Sequence, residues 1–336
     1  MYAGQIAVRG LFPKDTIQWP NACPIVDIQL STGKGDKMNQ ELLQQLQPLR
    51  FPVEMRNISG IPEHMGRQLV RTDRAPATPI AIHKSRYKPI SHTDAFVTSL
   101  EAIDGTGIDM DNVEMQVDSI NDGAMASIEV LFKSHHMKIG DHDLYLKYVA
   151  RNSYNQVWKY QSFFGWMNSV CFNTLVSGQK LSYSANRHTA RFDSASAVKK
   201  IRVAAEAVLS DKPLFEKWWN TPVSDEQALD LFKKTLVKYP KTEAQIMAGE
   251  GQHNIKQLSH LTENFQSEAQ QLHGSGDYGR AGASGSLWCA FQAATAWSTH
   301  CRDSIEDRSN FKLKEERERK VKSMISSTKW KELEAA

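Results

Sequence analysis

A chain of 336 residues with 40% apolar and 24% charged residues and a net charge of +3 is neither a disordered tail nor a polycation, and is long enough for one large domain or two ordinary ones. No window approaches the roughly 18 apolar residues of a membrane-spanning helix, and the start MYAGQIAVRGLFPKD lacks the apolar core of a secretory signal, so a cytoplasmic protein is expected. Cys23, Cys171, Cys289 and Cys301 lie far apart with no C-x-x-C pair, which argues against a disulfide framework or a zinc site and for reduced, buried thiols.

Nine of the twelve prolines fall before residue 90, so long elements are not expected there. One short helix is expected at about Met38 to Leu46. The arginine-rich run from Arg50 to Lys88 reads as an extended arm or a set of loops. Residues 1–86 are therefore assigned to an N-terminal arm, 87–193 to a sheet-forming half of the core domain, and 194–336 to a helical half.

Organised structure is expected to begin near Tyr87. Ser91 or Thr93 can cap a helix running to about Ile103, with Phe96, Val97, Leu100 and Ile103 on one face. VEMQVDSI and AMASIEVLFK alternate at period two around Asn121-Asp122-Gly123, which predicts a hairpin with Gly123 at positive φ. Further strands are expected at DLYLKYVARNS, from Val157 to Phe164, and near LSYSANRHT. After Asp193 the pattern turns helical: Ser194 to Leu209, Ser224 to Lys238, Ile255 to Leu272, Ser286 to Cys301, and a charged C-terminal helix. The fold class is α+β, an antiparallel sheet of about five strands followed by and packed against several helices.

Glycine motifs give no nucleotide chemistry. Gly274-Ser-Gly276-Asp-Tyr-Gly279 matches G-x-G-x-x-G, but a helix precedes it where a dinucleotide fingerprint needs a strand. STGKGDK lacks the G-K-[ST] ending of a phosphate-binding loop. No cofactor is expected. His135, His136 and His142 beside Asp141 and Asp143 admit two readings. One is a polar hairpin loop. The other is a metal-dependent nuclease strand, with Asp141 and Asp143 on Mg²⁺ and Lys147 beside them.

The aromatic-rich centre draws most attention. Eleven aromatic residues fall between Tyr145 and Phe192, interleaved with Lys147, Arg151, Lys159, Lys180, Arg187, His188 and Arg191. In a strand, Leu144, Leu146, Tyr148 and Ala150 share one face, and Tyr145, Lys147, Val149 and Arg151 share the other. Lysine and arginine on phosphates with rings stacking on unpaired bases is the chemistry of single-strand binding. Here Lys147, Arg151, Lys159, Lys180, Arg187 and Arg191 would neutralise phosphates. Tyr145, Tyr154 and Tyr160 would stack on bases, and His188 would hydrogen-bond phosphate or brace its turn. The bland alternative is a sheet whose aromatics pack under helices while its cations are solvated. Charge is also blocked: nine carboxylates and no lysine or arginine between Pro89 and Phe132, then eleven basic and three acidic residues from Lys133 to Arg202. Either the blocks pair with each other, or the second forms a basic binding face.

Several separated segments are familiar. RYKPISHTDAF (Arg86 to Phe96), YVARNSYNQ (Tyr148 to Gln156), SVCFNTLVSG (Ser169 to Gly178), RHT (Arg187 to Thr189) and LWCAFQAATAWSTHCRD (Leu287 to Asp303) stand in one order. Together they resemble the phage/plasmid-like family called domain of unknown function 932. The turn after Ser153 departs from the family pattern, reading Tyr-Asn where Asp-Gly is expected. The resemblance covers about Arg86 to Asp303 and implies a phage or other mobile-element origin, with host-cell cytoplasm as the location. By analogy with proteins such elements encode, it implies single-stranded DNA as partner, a homo-oligomer, and a role in replication or recombination through binding or annealing. A non-enzymatic protein acting on a host factor through the acidic block from Asp94 to Glu129 is the other alternative. Val170 to Asn173 is expected to pack into the core.

Overall fold

Prolines do not keep the N-terminal part from forming a sheet. The computed structural model describes residues 40–84, 87–169, 174–176, 183–186, 194–237, 251–274, 284–299 and 310–336, together with single positions 242, 244 and 247. Helix α1 (Gln40–Gln45) buries Leu42 and leads through a 3-10 turn (Gln47–Leu49) into three strands, β1 (Val53–Asn57), β2 (Arg67–Arg71) and β3 (Thr78–His83). They pair antiparallel in the order β1-β2-β3, where an arm or loops had been expected. The prolines are placed where a missing N–H costs least. Pro52 precedes β1, Pro62 and Pro76 lie between strands, and Pro79 sits on β3, an edge strand, beside a bulge at Leu69/Val70. The arginines of this sheet have carboxylate partners: Arg56 with Glu54 at 2.9 Å, Arg71 with Asp73 at 2.7 Å and Arg74 with Asp122 at 3.1 Å.

Helix α2 (His92–Asp104) begins at Ser91, whose Oγ accepts a hydrogen bond from the Asp94 backbone N–H at 3.2 Å, and buries Phe96, Leu100 and Ile103. The main sheet follows: β4 (Val113–Ile120), β5 (Met125–Ile139), β6 (His142–Ser153), β7 (Tyr160–Asn168), β8 (Thr174–Val176) and β9 (Tyr183–Asn186). Its order is β4-β5-β6-β7-β8, with β9 also on β7, all antiparallel. The first turn holds Asn121, Asp122 and Gly123 at φ 54°, 56° and 90°. Only glycine suits the last of these, because a Cβ there would lie 2.3 Å from the Phe51 ring.

The expected polar loop at His135 and His136 is instead strand. A bulge between Phe132 and His136 absorbs the polar residues, and β5 resumes its alternation with Met137 and Ile139 buried. Only Gly140 and Asp141 remain for the turn into β6.

One face of the sheet is core. Ile128, Val130 and Phe132 of β5, Leu144, Leu146, Tyr148 and Ala150 of β6, and Phe164 and Trp166 of β7 are at most 4% exposed. Helix α3 (Ser194–Val208) lays Ala197, Ile201, Ala204, Ala205 and Val208 into the same core, as its spacing predicts. Helix α4 (Asp211–Asn220) is absent from the helices expected above, and it carries Pro213 at its third position. Proline is tolerated in a helix's first turn, where no intrahelical N–H bond is lost. Asp211 then accepts a hydrogen bond from the Trp166 indole at 3.0 Å.

After the two-residue strand β10 (Pro222–Val223), α5 (Asp225–Thr235) starts with a complete capping box, Ser224 with Gln227. Helix α6 (Gln252–Gly274), strand β11 (Gly285–Ser286, paired with β10) and helix α7 (Leu287–Thr299) follow, α7 being buried on nearly all sides. The charged C-terminal segment is two helices, α8 (Asn310–Ile325) and α9 (Thr328–Ala335), which anchor through Val321, Met324 and Trp330, all 0% exposed. The architecture is α+β, an antiparallel sheet followed by and packed against helices. Among the described residues, no helix is long and apolar enough to cross a membrane.

Candidate functional site

The second face of the main sheet is polar, and its side chains fall in rows set by register. Ser127, Arg151 and Gln161 form one row; Glu129, Val149 and Phe163 the next; Leu131 and Lys147 the third; His136, Tyr145 and Met167 the fourth, with Lys138 opposite Asp143 beyond it. Strand β6 thus divides as its alternation predicts, with Leu144, Leu146, Tyr148 and Ala150 in the core and Tyr145, Lys147, Val149 and Arg151 opposite.

Helix α8 closes one end of this polar face. Arg151, 2% exposed, donates both arms of its guanidinium to Glu318 at 2.9 and 3.2 Å and lies over the Phe163 ring at 5.4 Å. Glu129 takes Lys147 at 2.6 Å and Lys314 at 3.5 Å. Burial alone would raise the Glu129 carboxyl. The charges of Lys314 and Lys147, the Lys147 hydrogen bond and the Arg151 charge outweigh it and hold the group down at about 2. Carboxylates of the acidic block therefore do pair with cations: Glu129 here, Glu114 with Lys133, and Asp122 with Arg74.

The expected phosphate and base contacts consequently divide. Lys147 and Arg151 face carboxylates inside the polar layer rather than solvent, since a buried cation needs a fixed counter-charge. Tyr154 and Tyr160 are each 1% exposed, so they offer no open ring face for a base. Tyr154 accepts a hydrogen bond from the His92 N–H at 3.3 Å, while Tyr160 donates to the Ala95 carbonyl at 3.2 Å and contacts the Ser99 hydroxyl. Burial drives both phenols upward. Their role in this fold is packing. Lys159 is exposed just before β7. Lys180, Arg187, His188 and Arg191 lie outside the described residues, as do Val170 to Asn173.

Tyr145 remains, towards the other end of the polar face from the Arg151–Glu318 pair. Its ring is half-buried between exposed His136, whose centroid lies 6.1 Å away, and half-buried Met167. Lys138 and Lys133 are exposed on the neighbouring strand. Asp141 and Asp143 are also exposed, but Lys147, their expected partner, is engaged by Glu129. Among the described residues no group of three histidine, cysteine or acidic side chains could hold a metal ion.

A second polar cluster escaped sequence reading. His142 begins β6 on the core face, and its Nε2 lies 3.8 Å from Glu268 Oε2 of α6. The Asn168 amide lies 2.9 Å from His142 Nδ1, and the Trp219 and Trp288 rings flank the imidazole at 6.1 and 5.9 Å. With the Asn168 N–H₂ donating to Nδ1, the neutral ring carries its proton on Nε2, towards Glu268. Burial pushes Glu268 up to about 7 and His142 down. Glu268 sits 126 positions from His142 within a polar helical repeat, and no local pattern links them.

Neither the curated proteins nor the solved structures hold a match to this chain. The sequence profile of one family, Domain of unknown function (DUF932), does match, over residues 79–327. That span takes in α2, the whole main sheet and the helices through α8, and begins inside β3. The chain belongs to the DUF932 family.

Proposed function

We propose that the protein binds single-stranded nucleic acid, DNA in the first instance, at the Tyr145 end of the polar sheet face. The observation that carries this reading is the row His136-Tyr145-Met167, where a half-buried aromatic ring stands on the sheet beside exposed His136 and Lys138, with Lys133, paired to Glu114, on the same strand. A ring held by a sheet stacks on any base, and nearby cations draw the backbone. Lys159, exposed just before β7, stays assigned to phosphate but stands at the other end of that strand from Met167, beyond the Arg151-Gln161 row. Lys180, Arg187, His188 and Arg191 remain assigned to phosphate, whereas Lys147 and Arg151 act as internal ties that hold the platform flat. The mobile-element resemblance supports replication or recombination as the setting in a host cytoplasm, with annealing by a homo-oligomer as the fuller form.

Fluorescence anisotropy of a labelled oligo-dT across a salt series tests the reading. Tyr145→Ala should weaken binding by about 5- to 100-fold, the loss of one stacked base, with the salt slope unchanged. Lys138→Ala should weaken all sequences alike and reduce the slope by about 1. No retention by the wild-type protein at low salt, or equal binding by Tyr145→Ala, overturns the proposal. Cleavage of the oligonucleotide on adding Mg²⁺ would transfer the case to the nuclease reading, with Asp141 and Asp143 as the carboxylates to replace.

A further inference from the structure

Among the described residues, no strand pairs with the outer edge of the main sheet on the β4 side. All eight residues of β4 pair with β5 in unbroken register. The Lys133 N–H donates to the Asn112 carbonyl at 3.0 Å, which continues that ladder, so the even-numbered residues of β4 bond to β5. The backbone groups of Val113, Met115, Val117 and Ser119 therefore point outward. Edge strands are commonly guarded by proline, lysine or a bulge. The edge strand β3 carries Pro79 beside a bulge, whereas β4 has none of the three. Val113, Met115 and Val117 pack on the main core yet stay half-buried, so apolar surface runs up to this edge. Glu114 and Gln116, on the other face, are exposed.

We propose that two copies of this chain join here, β4 against β4, antiparallel about a twofold axis at Met115. In that register Met115 meets Met115 of the second copy, and Val113 meets Val117, each through outward backbone groups. Glu114 falls opposite Gln116, and Asp118 opposite Asn112, so no carboxylate faces another. An axis at Gln116 would set Glu114 against Asp118 at both ends. One at Glu114 would set that carboxylate against itself, and one at Val117 would pair Met115 with Ser119. Only the Met115 axis joins all three apolar residues to one another. It stands perpendicular to the sheet, so the two polar faces, each with its Tyr145, lie on one side; the seam itself does not depend on nucleic-acid binding. Asp111, Glu114 and Asp118 outnumber Lys133 along each edge, so repulsion opposes the seam and salt relieves it.

Sedimentation velocity of the full chain across concentration and NaCl series tests the seam. A monomer–dimer equilibrium is expected that tightens from about 50 to about 500 mM NaCl, the reverse of strand binding. Gln116→Lys should tighten it and Gln116→Glu weaken it, each by about 2- to 20-fold, because position 116 faces Glu114 twice in the dimer. Met115→Cys should give a covalent dimer on mild oxidation, since opposed Cα atoms in a hydrogen-bonded pair lie about 5.5 Å apart. Ser119→Cys, opposite Asp111, should crosslink no more than wild type. A wild-type monomer throughout, equal affinities in the two Gln116 variants, or crosslinking at both positions or at neither overturns the proposal. A monomer that still binds oligo-dT would overturn this seam alone; a dimer that binds none would overturn the Tyr145 reading alone.

Discussion

At the scale of single residues, the same side-chain types serve two purposes, and surroundings decide which. Arg151 and Lys159 belong to one run of cations and aromatics, yet Arg151 is locked to Glu318 while Lys159 faces solvent. Removing one partner of a buried pair leaves the other charge without compensation, so Glu318→Ala should cost about 3–5 kcal/mol in urea unfolding. Lys159→Ala should stay within about 0.5 kcal/mol, as exposed surface changes do. A Glu318→Ala protein as stable as wild type would show that the pair holds nothing together. The alternation of β6 told which face Arg151 takes, because strand geometry is local. Its partner stands 167 positions away on a helix that reads as a solvated charged segment, and only tertiary packing brings the two together. The same holds for Tyr154 and Tyr160, whose rings look like platform residues until α2 is laid over them.

At the scale of elements, turns fix how the long hairpins dock. The β4–β5 turn rests on Phe51 of the N-terminal segment, and the Gly123 carbonyl meets His92 Nε2 at 2.8 Å. The β5–β6 turn rests on Trp219 of α4: Gly140 has φ 55°, and a Cβ there would lie 2.1 Å from the indole. Gly140→Ala therefore meets both an unfavourable backbone angle and a rigid ring. It should destabilise the fold by about 2–4 kcal/mol, the sum of a positive-φ penalty and an overpacking cost. A lower urea midpoint than wild type, followed by total tryptophan fluorescence, would report the loosened dock; an unchanged midpoint would refute it. The first hairpin was legible because period-two alternation and the Asn-Asp-Gly turn agree. The N-terminal sheet was not, since a proline-rich run reads as an arm or loops although Pro79 is compatible with an edge strand; nor was α4, in which Pro213 stands in the first helical turn.

At the scale of the whole molecule, stability against pH is shaped by two carboxylates displaced in opposite directions. Glu129 sits at about 2 in the fold, below its unfolded value near 4.5, so it adds stability above pH 4.5 that is lost as pH falls towards 2. Glu268 sits at about 7, above its unfolded value, so its contribution is full below pH 4.5 and is lost as pH rises through 7. His142, lowered by burial from 6.5, works the other way, adding stability above pH 6.5 and losing it as pH falls. Other groups bear on the pair as well: Asp141 raises His142, and Cys289, itself pushed up by burial, senses the Glu268 charge. The Glu268 loss between pH 4.5 and 7 amounts to about 3 kcal/mol at most, and the part recovered by His142 reduces it. Glu268→Gln keeps the shape and removes the charge, so its urea midpoint should exceed that of wild type at pH 8 and equal it at pH 4.5. The convergence of those two curves at low pH is the diagnostic: parallel curves across the whole range would mean that the Glu268 carboxyl is ionised in the fold and already compensated, and that the cluster at the end of the sheet does not hold a proton at neutral pH.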